Sequence, residues 1–286
     1  MQIGELLQQM EKGVSYYHKA IISAVLDAPR TDLRSTDYVS DADAQLCIDI
    51  ARGYRSSTLM SCSAEGARDY HKIFDLAYER GKTRFMDLPI MVTKDVMAPP
   101  PFILEPWIEK TIEISGDAKN ILEIGTGSGA PAIALAKYSR AQVLATDVSD
   151  AALAVAKQNA KLNNVDIEFI KSDLFENIGD RFDVIASDPP CSKSGAIDEL
   201  ESNGGAFCPR VACDGGKDGL RLFRSIIQNS PKHLKEGGLL SLCLPPWQHV
   251  VDNVPELVVD NDAFSCAHVM ADKHGQTCAV FARTLD

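Results

Sequence analysis

Three acidic residues of this chain follow short apolar runs, at the points where buried strands would end. They are Asp147, Asp173 and Asp188. Carboxylates in such positions accept hydrogen bonds from the hydroxyl and N–H groups of a ligand. In a parallel sheet, ligands bind outside the carboxyl ends of the strands. The sequence therefore predicts that these acids face one binding site.

A glycine-spaced turn, residues 125–129 (G-T-G-S-G), precedes the first of these acids. It follows the apolar run Ile121–Ile124 and leads into a helix predicted from Ala130 to Lys137. Glycines let the backbone turn tightly and approach a ligand closely. Asp147 lies 22 residues after Gly125, which is where a nucleotide-binding βαβ unit places its ribose-binding carboxylate. The spacing predicts a nucleotide or nucleoside site.

The turn is tighter than the G-x-G-x-x-G of dinucleotide sites and follows Glu123 directly. It resembles that of the class I S-adenosylmethionine-dependent methyltransferases, with other Rossmann-like nucleotide binders as the alternative. The resemblance implies S-adenosyl-L-methionine as cofactor and S-adenosyl-L-homocysteine as product. The implied cofactor-binding residues are Glu123, Gly125, Thr126, Gly127, Gly129, Asp147, Val148, Ser172, Asp173, Leu174 and Asp188.

Further motifs narrow the resemblance to the HemK-like release-factor glutamine methyltransferases. They are E-I-G-T-G-S-G, A-T-D-V-S-x-x-A-L, the P-P pair at 189–190 and the glycine-rich segment 211–220. The resemblance implies methyl transfer to a side-chain amide nitrogen of a glutamine in a release-factor-like protein. It also implies that Asp188, Pro189 and Pro190 are the catalytic residues.

Two departures from the family pattern concern the acceptor. Where the family has N-P-P-Y, residues 188–191 read D-P-P-C, and where it has R-P-E-T-E, residues 100–104 read P-P-F-I-L. Candidate substrate contacts are Cys191, Phe102 and Trp247. The departures would suit a small-molecule N- or O-methyltransferase. A less favoured alternative is an RNA cytosine-type enzyme with Cys191 as nucleophile, and a third is a non-catalytic binding module.

The elements around these motifs alternate between strand and helix from residue 120 onwards. Strands are predicted near 120–125, 142–147, 167–172, 182–188 and 239–244, with an antiparallel pair at 264–271 and 276–284. This alternation predicts an α/β fold, and the resemblance implies the Rossmann-like seven-stranded class I methyltransferase sheet with a smaller N-terminal helical domain. Three units are expected: a helical docking or cap domain over 1–82, an extended proline-containing linker over 83–105, and a cofactor-binding domain over 106–286.

Local signals place the helices and one long loop. Helices are predicted over Ile3–Leu26, from Ser40 or Asp41 to Gly53, and from about Gly66 to Glu79 with Ser63 as a cap. Pro106 is expected in the first turn of a helix. Further helices are predicted near 129–138, 150–163 and 218–235, and residues 192–216 are expected to form a long loop, either a lid or a solvated connection.

Composition limits the partners. The chain has 286 residues, a net charge of −11 and eight cysteines without paired C-x-x-C spacing. Such acidity does not favour nucleic acid, and no apolar run is long enough for a membrane span. We expect a cytoplasmic protein with free thiols and no metal site. Its expected partner is a release-factor-like protein or a small molecule.

Overall fold

The computed structural model describes residues 1–10, 21–23, 25–28, 30, 33, 39–48, 74–202, 208–245, 247–271 and 277–285. Parts of the predicted N-terminal helices, including the Ser63 cap and the segment from Gly66 to 73, lie outside these residues. In the described N-terminal part, α1 spans Ile3–Met10, and residues 21–23, 25–26, 41–48 and 74–80 are also helical. Ser40 caps the helix at 41–48, because its hydroxyl accepts from the Asp43 N–H at 3.0 Å.

A seven-stranded sheet forms the centre of the molecule. Its strands are β3 (Asn120–Ile124), β4 (Gln142–Asp147), β5 (Glu168–Lys171), β6 (Phe182–Ser187), β7 (Leu234–Cys243), β8 (Phe264–Ala271) and β9 (Thr277–Thr284). Their order across the sheet is β5-β4-β3-β6-β7-β9-β8. The first five are parallel, and β9 pairs antiparallel with both β7 and β8. The predicted α/β fold class is confirmed.

Helices cover both faces of this sheet, as a parallel sheet requires. They are α2 (Pro101–Ser115), α3 (Ala130–Tyr138), α4 (Asp150–Leu162), α5 (Ser194–Ser202), α6 (Arg210–Cys213), α7 (Arg221–His233) and α8 (Gln248–Val259). One apolar cluster joins α2, α3 and α4 to the sheet and to the N-terminal helices, and a second joins α7 and α8 to the other face. Among the described residues, no helix has both the length and the apolar character needed to cross a bilayer.

The connection between the N-terminal helices and the sheet differs from the expected linker. Residues 82–91 form a hairpin of β1 (Lys82–Phe85) and β2 (Leu88–Met91). α2 then begins at Pro101, five residues before Pro106, which was expected to open it. Pro101 suits the first helical position because its φ is preset and no N–H is needed there. The helix also tolerates Pro106 in its interior, where one backbone hydrogen bond is missing.

The segment expected to be a long loop, residues 192–216, contains two helices, α5 and α6. Few apolar residues of α5 point to a core, and Ile197 is its buried contact. Arg210 of α6 pairs with two acids of α5, Asp198 at 2.8 Å and Glu201 at 2.9 Å. The expectation of a loop was wrong because these contacts are not local in sequence.

Candidate functional site

A cavity of about 280 Å³ opens at the carboxyl ends of β3, β4, β5 and β6. Nearly all of the residues predicted to bind the cofactor line it, and so do the predicted catalytic residues. The lining includes Glu123, Gly125, Thr126, Gly127, Asp147, Val148, Ser172, Asp173, Leu174, Asp188, Pro189 and Pro190. The topology of a parallel sheet thus brings together motifs that are up to 67 residues apart in the sequence.

Two glycines of the turn border open space in this cavity, whereas the third packs closely against a helix. Gly125 and Gly127 have φ of +76° and +53°, and a Cβ on either would meet no atom within 4 Å. A Cβ on Gly129 would lie 3.0 Å from the Cβ of Ala156 in α4. Gly129 does not line the cavity, and its structural role is the close approach of the turn to α4.

Asp147 connects the end of β4 to the glycine turn. Its Oδ2 accepts a hydrogen bond from the Gly127 N–H at 2.8 Å, and its Oδ1 accepts from the Ser149 N–H at 2.9 Å. Each carboxylate oxygen has a further lone pair for a ligand. The following residue, Val148, is 44 % exposed and provides an apolar surface beside that carboxylate in the cavity wall.

Glu123 is a buried acid with a carboxyl oxygen left unsatisfied within the described part of the chain. Its Oε2 and the hydroxyl of Thr126 are buried without a hydrogen-bond partner there. Burial, together with repulsion from Asp147 and Asp188, raises the pKa of Glu123 to about 8. A cationic or hydrogen-donating ligand group placed next to Glu123 would relieve this cost.

Asp188 follows β6 and faces the same cavity. Burial raises its pKa to about 7, and a hydrogen bond with the Cys243 thiol acts in the opposite direction. At neutral pH its carboxyl group therefore lies close to the midpoint of its titration, where it can hold or release a proton.

The D-P-P-C loop, residues 188–191, is supported from behind by a second glycine segment, residues 215–219. A Cβ on Gly215 would lie 2.7 Å from the Pro190 carbonyl oxygen, and the Cys191 carbonyl contacts His249 Nε2 at 2.9 Å. The Ser192 N–H donates to the Cys213 carbonyl at 2.9 Å. The loop is therefore positioned by packed backbone, and only glycine fits at its closest approach.

The predicted substrate contacts are placed differently from the catalytic residues. Cys191 is 8 % exposed, and neither it nor Trp247 lines the cavity. Burial raises the pKa of the Cys191 thiol above its usual range, and the neighbouring Trp247 acts in the opposite direction. Phe102 lies in α2, and its side chain is outside the described part of the structure.

Several lining residues were not anticipated from the sequence. Asp95, Val96, Met97, Pro99 and Leu104 contribute from the linker and the start of α2, while Val211, Ala212, Arg221, Leu222 and Ile226 contribute from α6 and α7. In the sequence, only the position of their segments relative to the family motifs indicated that these residues could line the cavity. The expected linker and the expected loop thus both form walls of the cavity.

The cysteines also depart from expectation at one place. The structure joins Cys208 and Cys213 in a disulfide across α6, whereas free thiols were expected there. Cys47, Cys191 and Cys243 are free and buried, and Cys278 is also buried. Among the described residues, no group of three or more His, Cys, Asp or Glu side chains is arranged to hold a metal ion.

Sequence comparisons with known proteins identify the family of this chain. The family model of the Methyltransferase small domain matches residues 107–201. A release factor glutamine methyltransferase of Agrobacterium fabrum is 31% identical over 227 residues, which cover 76% of this chain and 75% of the relative. The chain belongs to the release factor glutamine methyltransferase family.

Other members of that family align over a shorter region. The relative from Geobacter sulfurreducens is 36% identical over 167 residues, 58% of each chain. A putative protein N5-glutamine methyltransferase of Methanocaldococcus jannaschii is 40% identical over 124 residues, 43% of this chain and 60% of the relative. The matched region thus spans about three-fifths of these relatives' length.

A solved structure supports the fold. A methyltransferase from Pyrococcus furiosus superposes with a TM-score of 0.54 at 20% identity, and the match covers 70% of this chain and 90% of that protein. At this identity the similarity concerns the fold alone.

Proposed function

We propose that this chain is an S-adenosylmethionine-dependent methyltransferase that methylates a nitrogen, the side-chain amide of a glutamine in a release-factor-like protein. One observation carries the proposal. Asp188, Pro189 and Pro190 line the same cavity as the glycine turn and Asp147, so the groups assigned to the acceptor and to the cofactor share one space. Membership of the release factor glutamine methyltransferase family supports the same acceptor.

The residues present fit the cofactor. The open space at Gly125 and Gly127 is suited to its methionine part, and the unpartnered Glu123 Oε2 suits a cationic or N–H group of that part. Asp147 retains lone pairs for the ribose hydroxyls, and Asp173 is suited to the adenine amino group. When bound, the cofactor supplies a methyl group on a positively charged sulfur, and its product is S-adenosyl-L-homocysteine.

Asp188 and Pro189 are suited to hold the acceptor nitrogen. An amide nitrogen is a poor nucleophile because its lone pair is delocalised. The Asp188 carboxylate and the Pro189 carbonyl accept its N–H bonds, which orients the lone pair and stabilises the positive charge that develops. Because its pKa is near 7, Asp188 can also receive the proton that the nitrogen must lose.

A role for the N-terminal helical unit, residues 1–82, completes the proposal. Its Arg30 binds two acids of the following segment, Asp87 at 3.3 Å and Glu105 at 2.8 Å. Glu105 lies in α2, whose first turn contributes Leu104 to the cavity wall. We assign residues 1–82 to docking of the protein acceptor, residues 83–105 to the linker, and residues 106–286 to the catalytic domain, in a protein of the cytoplasm.

The small-molecule alternative rests on the D-P-P-C loop itself. A carboxylate at 188 can deprotonate a charged amine, which a neutral asparagine cannot. Such an acceptor would not need the aromatic residue that the family has where this chain has Cys191. The cytosine-type alternative is disfavoured, because burial raises the pKa of Cys191 and a nucleophilic thiol needs a lowered one.

Methyl transfer from radiolabelled S-adenosylmethionine separates these functions. The acceptors are a glutamine-containing release-factor peptide, the same peptide with glutamate at that position, and a metabolite extract. Label on the first peptide alone supports the proposal, and label in the extract alone replaces it with the small-molecule function. If calorimetry also detects no binding of S-adenosylmethionine, the methyltransferase assignment itself is overturned.

A further inference from the structure

One buried amide side chain behind the cavity joins the glycine turn to the hairpin of the linker. Asn159 lies in α4 and is fully buried. Its Nδ2 donates to the Ser128 carbonyl at 2.8 Å and to the Met91 carbonyl at 3.0 Å, and its Oδ1 accepts from the Met91 N–H at 2.7 Å. Both N–H groups of the amide are therefore used, as is one lone pair of its oxygen.

Both partners of Asn159 belong to segments that form walls of the cavity. Ser128 lies in the glycine turn and lines the cavity. Met91 is the last residue of β2, and the linker residues that follow it, at 95–97 and 99, line the cavity from another side. Asn159 does not line the cavity itself. One side chain of α4 thus fixes two walls of the cavity relative to each other.

α4 contacts the glycine turn at two successive positions. Ala156 lies against Gly129, where an added Cβ would come within 3.0 Å of the Ala156 Cβ. Residues three apart lie on the same face of a helix, so Asn159 binds the carbonyl of Ser128 directly beside this packing contact. The Gly127 N–H is bound in turn by Asp147 at 2.8 Å. The glycine turn is therefore held by the end of β4 and by α4.

We propose that Asn159 is a positioning residue for cofactor binding: its amide holds the Ser128 carbonyl, keeps the glycine turn in the shape that receives the cofactor, and ties this shape to the linker wall. This inference rests on the proposed cofactor site. A ligand that binds a turn already in place loses less free energy to ordering than one that must order the turn. Loss of the amide should therefore weaken cofactor binding, although Asn159 does not contact the cofactor.

The test compares two variants of Asn159 with a control in the same region. Asn159→Ala removes the amide, whereas Asn159→Asp keeps its size and the acceptor for the Met91 N–H, but its ionised carboxylate has no donor for the Ser128 carbonyl. Asn163→Ala is the matched control. Asn163 is also buried, directly after the end of α4, and its Nδ2 donates at 2.9 Å to the Pro89 carbonyl of the same hairpin. Among the described residues its side chain makes no hydrogen bond to the glycine turn.

The first measurement is the Kd of S-adenosylmethionine by calorimetry, well below the thermal midpoint of each variant. Both Asn159 variants should bind about three- to tenfold more weakly than the wild type, the effect of one lost hydrogen bond. Asn163→Ala should lower the thermal midpoint and leave the Kd unchanged. Wild-type affinity in folded Asn159→Ala overturns the proposal, and if that variant does not fold, wild-type affinity in Asn159→Asp overturns it. Equal weakening in Asn163→Ala also overturns it, because the effect would then follow from stability alone.

The second measurement separates KM from kcat for methyl transfer. In the Asn159 variants the KM for the cofactor should rise by a similar factor, with kcat at saturating cofactor nearly unchanged. A loss of folded protein would instead lower the apparent kcat and leave KM as it is, and that result would contradict a positioning role. Gly127→Val distinguishes the two levels of the argument. If it also keeps wild-type affinity, the proposed cofactor site is wrong, whereas if it alone loses affinity, only the role of Asn159 is rejected.

Discussion

The Gly127 N–H donates to Asp147 Oδ2 over 2.8 Å, and this bond ties the turn after β3 to the end of β4. The carboxylate predicted to hold the ribose thus also shapes the turn predicted to hold the methionine part. Two functions meet in one side chain, because the ends of adjacent parallel strands lie side by side. Loss of Asp147 should affect both halves of the cofactor.

Replacement of Asp147 by alanine should weaken S-adenosylmethionine binding by about 1.5–3 kcal/mol or more, since hydrogen bonds to a charged group and the anchor of the turn are lost together. Calorimetry on the folded variant measures the change. Asp150→Ala is the control, because Asp150 is an exposed acid three residues further on that pairs with Lys171 and should leave affinity unaltered. Equal affinities of wild type and Asp147→Ala would remove Asp147 from the site.

The glycines of the turn should respond differently to substitution. Gly127→Val should fold but lose cofactor binding, because its side chain enters open space in the cavity, at some strain from the positive φ. Gly129→Val should instead lower the thermal midpoint, because even a Cβ there lies 3.0 Å from Ala156. Thermal unfolding and calorimetry on both variants check this contrast. A Gly127→Val protein with normal affinity would mean that the cofactor lies elsewhere.

The sequence predicted the strand ends well because each is a local pattern of apolar residues followed by an acid. Glu123, Asp147 and Asp188 were all placed correctly at one edge of the sheet. The start of α2 was missed, because Pro101 and Pro106 both satisfy the same local rule and the helix begins at Pro101. Long-range contacts such as Arg210 with Asp198 also escape local patterns, so α5 and α6 were expected to be a loop.

The roles within the site were harder to predict than its position. The spacing of the glycines could not tell that Gly129 packs on α4 while Gly127 borders open space. Nor does any motif reveal that Cys191 is buried and does not line the cavity. These properties depend on which element lies behind each residue. The segment that we propose to hold the acceptor is also the part that departs from the family pattern.

Glu123 should make the stability of the ligand-free protein depend on pH. Its pKa is raised from 4.5 to about 8, so between these values the folded protein binds more protons than the unfolded one. The free energy of unfolding should therefore fall as the pH rises through this range. Glu123→Gln has no carboxyl group at this position, so this pH dependence should be absent. It should be more stable than the wild type at pH 8, with the difference shrinking towards pH 5, as measured by denaturant unfolding. Identical pH dependences would contradict the buried, unpaired carboxyl described here.

Asp188 and Cys191 should differ sharply in their effect on turnover. If the methyl group passes directly to the acceptor, Asp188 holds the acceptor, and Cys191 is a buried residue behind the cavity wall. Loss of one preorganised polar group in an active site costs about 10²–10³ in rate, so Asp188→Ala should fall in that range with cofactor affinity nearly unchanged.

Cys191→Ser is the informative partner of that variant. It is nearly isosteric and removes no group from the cavity, so single-turnover rates should stay within about tenfold of the wild type. If Cys191 were a covalent nucleophile, serine would be far weaker at that task and activity would collapse. Direct transfer thus requires a large effect at Asp188 and a small one at Cys191. Rates in the reverse order would reject it and favour a mechanism in which Cys191 attacks the substrate.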